Sequence, residues 1–141
     1  MMRNRRQSGA YTGSRDSRLT AVEMTCSREA SLTEANDSGF KIVLSTCPNQ
    51  MEAEQIAHSL VESQLAACVN LLPGALSVYR WEGKVESAQE VLLAIKTSAA
   101  NVDEVQRSIA RLHSYAVPEF VVLDIAGASR GYAEWLAASL K

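Results

Sequence analysis

Phe40-Lys41-Ile42-Val43-Leu44-Ser45-Thr46-Cys47-Pro48-Asn49 is the stretch on which the fold turns. Eight residues rich in β-branched and apolar types run to Cys47, and Pro48, with its fixed φ and missing N–H, closes them as a strand. Asn49, with Glu52 three residues on, has the form of a helix N-cap and its acidic partner. Ala53, Ile56, Ala57, Leu60 and Val61 then recur at helical spacing, so a helix is expected to about Gln64.

Downstream the pattern repeats with one addition. Ala67 to Leu72 reads as a second strand, interrupted at Pro73-Gly74 and resumed from Leu76 to Trp81; a proline and a glycine there predict a bulge or bend at a sheet edge. Glu82-Gly83-Lys84 supplies a hairpin turn, and Glu90 to Thr97 is a third strand. Asn101-x-x-Glu104 repeats the capping signature ahead of Val102, Val105, Ile109 and Leu112, a second helix that Pro118 keeps from continuing. Phe120 to Ile125 is a fourth strand, and Arg130 to Leu140 a short closing helix.

The order predicts an α+β domain over residues 40–141: a ferredoxin-like double βαβ with a four-stranded antiparallel sheet, a long β-hairpin and an extra C-terminal helix. Right-handed crossovers put both main helices on one sheet face. Apolar residues on the other face, Val43 or Leu92 depending on register, then need cover, and another subunit is the simplest source. The hairpin from Leu76 to Ile95 is long for such a domain and suits strand addition to a neighbour.

Composition narrows the function. Residues 1–39 carry six Arg against five acidic residues and lack apolar periodicity, so a mobile or weakly ordered extension is expected. A genuine tail and a start codon set too far upstream both fit it. Residues 40–141 carry eight Lys and Arg against eleven Asp and Glu, and an acidic domain is a poor nucleic-acid ligand. The longest apolar runs are β-like and far short of the ~20 residues of a membrane span. Cys26, Cys47 and Cys68 leave an odd thiol and form no C-x-x-C pair, which favours a reducing cytoplasm. No nucleophile elbow, P-loop, dinucleotide fingerprint or H-E-x-x-H motif is present, so an enzyme is not expected.

Several segments together resemble one family: Leu65-Ala66-Ala67-Cys68-Val69-Asn70, Pro73-Gly74, Ser77 to Lys84, Ile95-Lys96-Thr97, Leu112-His113-x-Tyr115-x-Val117-Pro118-Glu119, and Tyr132-x-x-Trp135. They are similar to the CutA family of divalent-cation tolerance proteins over essentially all of residues 40–141. The resemblance implies a tight homotrimer with sheets packed inside and hairpin strands crossing to neighbours. It also implies a link to copper or another divalent cation, with no obligatory cofactor. The family pattern Leu-His-Pro-Tyr-Glu-Val-Pro-Glu reads here with Ser114 for the proline and Ala116 for the acid. Where some members have a first-strand cysteine and two adjacent histidines for copper, this chain has Ser45, Leu112 and His113.

Two sets of candidate site residues follow. Cys47, Cys68 and His113 are soft-metal candidates, since thiolate and imidazole suit Cu(I) or Zn, although a strand cysteine also serves as a small core residue. Trp81, Lys96, Tyr115, Glu119 and Tyr132 are expected to converge on a cleft between subunits that accepts a small anionic molecule. Lys96 ends an apolar strand and needs a carboxylate such as Glu119 or Asp124, or an anionic ligand. The expected function is a homotrimeric cation-binding protein of metal tolerance. The alternatives are a trimeric small-ligand signalling module like the nitrogen-regulatory PII proteins, or a trimer scaffolding another protein.

Overall fold

The computed structural model describes residues 32–34 and 39–141, so most of the extension expected over residues 1–39 lies outside the described residues. In chain order the elements are β1 (Leu32–Glu34), β2 (Phe40–Cys47), α1 (Gln50–Glu62), β3 (Cys68–Trp81), β4 (Lys84–Ser98), a 3-10 turn (Ala99–Asn101), α2 (Val102–Leu112), β5 (Val121–Asp124), β6 (Gly127–Ser129) and α3 (Arg130–Ser139). The main sheet has the order β3-β4-β2-β5 with every neighbour antiparallel, and β1 pairs separately with β6. Helix α1 carries the chain from β2 past β4 to β3, and α2 carries it from β4 past β2 to β5. This is the double split βαβ of a ferredoxin-like fold.

Local chemistry sets the boundaries. Asn49 accepts the Glu52 N–H at 2.9 Å and caps α1. Gln64, at φ +59, turns the chain out of that helix, and Leu65 N–H and Gln64 N–H return to the carbonyls of Leu60 and Val61. The same capping motif at Asn101 behaves differently. A 3-10 turn precedes α2, and the Asn101 amide donates instead to the Lys141 carbonyl at 3.3 Å. Lys141 N–H donates to Gln64 C=O and ties down the exit of α1.

Strand β3 is an edge, and its register with β4 shifts between Leu72 and Ala75, at Pro73-Gly74. A bulge on an edge is where a residue without an N–H costs no ladder bond. Beyond it β3 and β4 run on as an arm closed at Trp81 and Lys84, with Glu82 at φ +46 and Gly83 at φ +78. Two consecutive positive φ values make the type I′ turn whose twist matches the strands.

The core lies between the helices and one sheet face: Val43, Leu93 and Ile95 from the strands meet Ile56, Leu60 and Ile109 from the helices, all at most 1% exposed. Val43 thus belongs to the covered face. Leu92 lies on the open one, with Ile42, Leu44 and Ala94 half-buried and Leu72, Val121 and Leu123 exposed. One hydroxyl is out of place on the covered face: Ser45 is 1% exposed and its Oγ has no hydrogen-bond partner. Ser45→Ala is therefore expected to raise the unfolding free energy by about 1 kcal/mol in urea titration, because an unmet buried hydroxyl is removed at nearly constant volume. A loss of stability would mean that the hydroxyl has a partner.

Candidate functional site

The first turn of α1, the last residue of β2 and the exit of α2 meet at one end of the sheet. There Cys47 Sγ, the His113 ring and the Glu52 carboxylate offer three donor atoms within 4.8 Å of one another. Cys47 is on the covered face because it alternates with Ser45 and Val43 along β2. His113 caps the C-terminus of α2, its N–H bonded to Ile109 C=O. Glu52 arrives because α1 begins three residues after β2 ends.

Hydrogen bonds assign the imidazole's tautomer. Tyr115 N–H donates to His113 Nδ1 at 3.0 Å, so Nδ1 is an acceptor, and the proton on Nε2 points to the Thr46 carbonyl at 2.7 Å. The ring is then neutral, and the 3.2 Å approach of Glu52 to Nδ1 is not an ion pair. Glu52 is held instead by Ser114, which gives it both its N–H at 2.8 Å and its hydroxyl at 3.0 Å. The proline of the resembled pattern would supply neither donor.

The donor set suits a soft cation. Cys47 Sγ and His113 Nε2 are 3.7 Å apart, close to the ~3.5 Å edge of a tetrahedral sphere with a thiolate and an imidazole. Two features oppose tight binding. A metal must displace either the Thr46 carbonyl or the Tyr115 N–H from the ring. It must also take the Cys47 proton, and burial, with Glu52 and Glu90 adding negative charge, pushes that thiol from 9.0 up to about 12. A thiol this hard to ionise is no prepared nucleophile either.

Cys68 is not part of this centre. It stands opposite Lys96 across β3 and β4, with Lys96 Nζ 3.8 Å from its sulfur. An ammonium at that distance repels a second cation.

Within one chain the residues expected at an intersubunit cleft fall into two groups. Trp81, Tyr115 and Glu119 line one cleft of about 910 Å³ between the hairpin arm and the loop after His113. Tyr79, Glu86 and Glu90 line it too. Tyr115 donates its hydroxyl to Glu90 at 2.9 Å, and burial and that carboxylate raise the phenol from 10.0 to about 12. Lys96 and Tyr132 are elsewhere. Lys96 donates to Asn70 Oδ1 at 2.7 Å and lies 5.7 Å from the centre of the Tyr132 ring. Neither carboxylate expected beside Lys96 is there: Asp124 pairs with Lys41, and Glu119 lines the cleft.

Sequence reasoning missed Glu52 and Ser114. Glu52 read only as the acidic half of a capping box, although a first-turn residue after so short a connection must sit beside the end of the strand.

The family model for the CutA1 divalent ion tolerance protein matches residues 41–139. The divalent-cation tolerance protein CutA of Thermus thermophilus is 46% identical over 96 residues, covering 68% of this chain and 93% of that protein. The chloroplastic CutA protein of Arabidopsis thaliana is 45% identical, covering 67% of this chain and 52% of its own length, so this chain spans about half of it. The solved structure of CutA from Synechococcus elongatus superposes with a TM-score of 0.74 at 36% identity, covering 79% of this chain and 96% of that one.

Proposed function

We propose that this chain, which belongs to the CutA1 divalent ion tolerance family, is a homotrimeric binder of divalent or soft metal cations, copper foremost, that contributes to metal ion tolerance. The observation that carries the binding is the meeting of Cys47, Glu52 and His113 from three separate elements. Thiolate and imidazole select Cu(I) or Zn, and the carboxylate supplies neutralising charge. Binding is weak and exchangeable, because the ring gives up a hydrogen bond and the thiol its proton. The open sheet face and the long arm support assembly into a trimer, since one chain leaves Leu72, Leu76, Val78, Val85 and Leu123 exposed. A reducing compartment such as the cytoplasm suits a site that needs a free thiol, and Cys47 and Cys68 are both unpaired. Among the described residues no helix is long and apolar enough to cross a membrane.

Titrating the full chain with Cu(I) and with Zn tests the centre. Cys47→Ala is expected to weaken binding about ten-fold or more, and Cys68→Ala to leave it unchanged. Because the bound cation replaces the thiol proton, wild-type affinity rises with pH by up to about ten-fold per unit across the neutral range. An affinity untouched by Cys47→Ala ends the reading.

A further inference from the structure

Resting on the proposed cation centre, we infer that Glu52 is a positioning residue and not a ligand: it accepts a hydrogen bond from His113 Nδ1 when Nε2 joins Cys47 on a cation, and the Tyr115 N–H at the head of loop 114–119 is thereby released. The ring stands between two hydrogen-bond arrangements. In the first, Nε2–H meets the Thr46 carbonyl at 2.7 Å and Nδ1 accepts the Tyr115 N–H at 3.0 Å. The second is already laid out around it. Glu52 Oε1 lies 3.2 Å from Nδ1, an acceptor facing an acceptor while Nδ1 is bare and a hydrogen-bond partner once Nδ1 carries a proton. The imidazole side chain has no exposed surface, so these contacts within one chain decide its state.

The sulfur selects the nitrogen. Cys47 Sγ approaches Nε2, at 3.7 Å, so Nε2 is the atom that can share a cation with the thiolate. A neutral imidazole that ligates through one nitrogen carries its proton on the other. Nε2 therefore gives up its proton and Nδ1 gains one by exchange with water; the ring keeps one proton, and the net release is the Cys47 thiol proton alone. A buried Nδ1–H needs an acceptor, and a carboxylate behind a ligating histidine fixes the ring and raises its basicity. Ser114 keeps Glu52 in place for this through its N–H at 2.8 Å and its hydroxyl at 3.0 Å. The Tyr115 N–H then faces a donor and loses its partner. Occupancy of the centre is in this way linked to the anchoring of loop 114–119.

Nitrogen-15 NMR of the full chain labelled at histidine, with and without saturating zinc, tests this, and His58, exposed on α1, is the internal control. Zinc is expected to move the His113 ring proton from Nε2 to Nδ1 and to quicken amide exchange at Tyr115 about ten-fold, while the His113 N–H, bonded to Ile109 C=O, keeps its rate. Glu52→Gln, which keeps the shape and weakens the acceptor, is expected to lower zinc affinity about ten-fold. The wild-type spectra do not depend on whether that variant folds. An Nε2 that keeps its proton, a Tyr115 exchange rate that zinc leaves unchanged, or wild-type zinc affinity in Glu52→Gln overturns the inference. If Cys47→Ala still weakens zinc binding in that event, the proposed function stands without it. Absence of zinc binding to the wild type overturns both.

Discussion

His113→Ala is expected to lower the unfolding free energy by about 3–5 kcal/mol. The imidazole is fully buried and joins three parts of the chain. Its Nε2 proton satisfies the Thr46 carbonyl at the end of β2, and its Nδ1 accepts the Tyr115 N–H that starts the cleft loop. Alanine leaves one buried acceptor and one donor unmet and opens a cavity against Cys47. The loop 114–119 loses its anchor at the same time, so hydrogen exchange at Tyr115 should quicken more than in the body of the sheet. Urea titration gives the first number. A loss below about 1 kcal/mol would show that the loop is held mainly by Ser114 and Glu52.

What the sequence revealed depended on whether the deciding interaction was local. Each main strand and helix was legible, because period-2 and period-3.6 patterns report directly on which face is buried. The edge position of β3 followed from Pro73 and Gly74 for the same reason. The Asn49 and Asn101 motifs are alike in sequence, yet only Asn49 caps with its side chain. At Asn101 the competitor is the Lys141 carbonyl, a contact 40 residues away that no local pattern encodes.

The site was legible in part. Cys47 and His113 are soft donors by residue type, and they meet although 66 residues apart in sequence. Within one chain Lys96 and Trp81 stand apart for a reason of length. Trp81 stands opposite Lys84 at the arm tip, and Lys96 lies twelve residues further along β4, roughly 40 Å at the rise of a strand.

The second large effect concerns the open face. On the proposed trimer, Leu44→Asp should convert the protein from three chains to one at micromolar concentration. Leu44 is on the central strand β2, between Ala94 of β4 and Val121 of β5, and points away from the helices. In a single chain it is half-buried, so an aspartate there keeps much of its water and the fold should survive, with little change in circular dichroism. Between packed sheets the same carboxylate would be stripped of water without a partner, in three copies at once. Each copy costs several kcal/mol, so the association constant should fall by about four orders of magnitude or more. Met51→Asp is the control. Met51 is 78% exposed, on the helices that cover the opposite face, and its substitution should leave the assembly intact. Sedimentation equilibrium separates the outcomes: if Leu44→Asp stays trimeric, the open face is not where the chains meet, and if the wild type is already monomeric, the trimer itself is wrong.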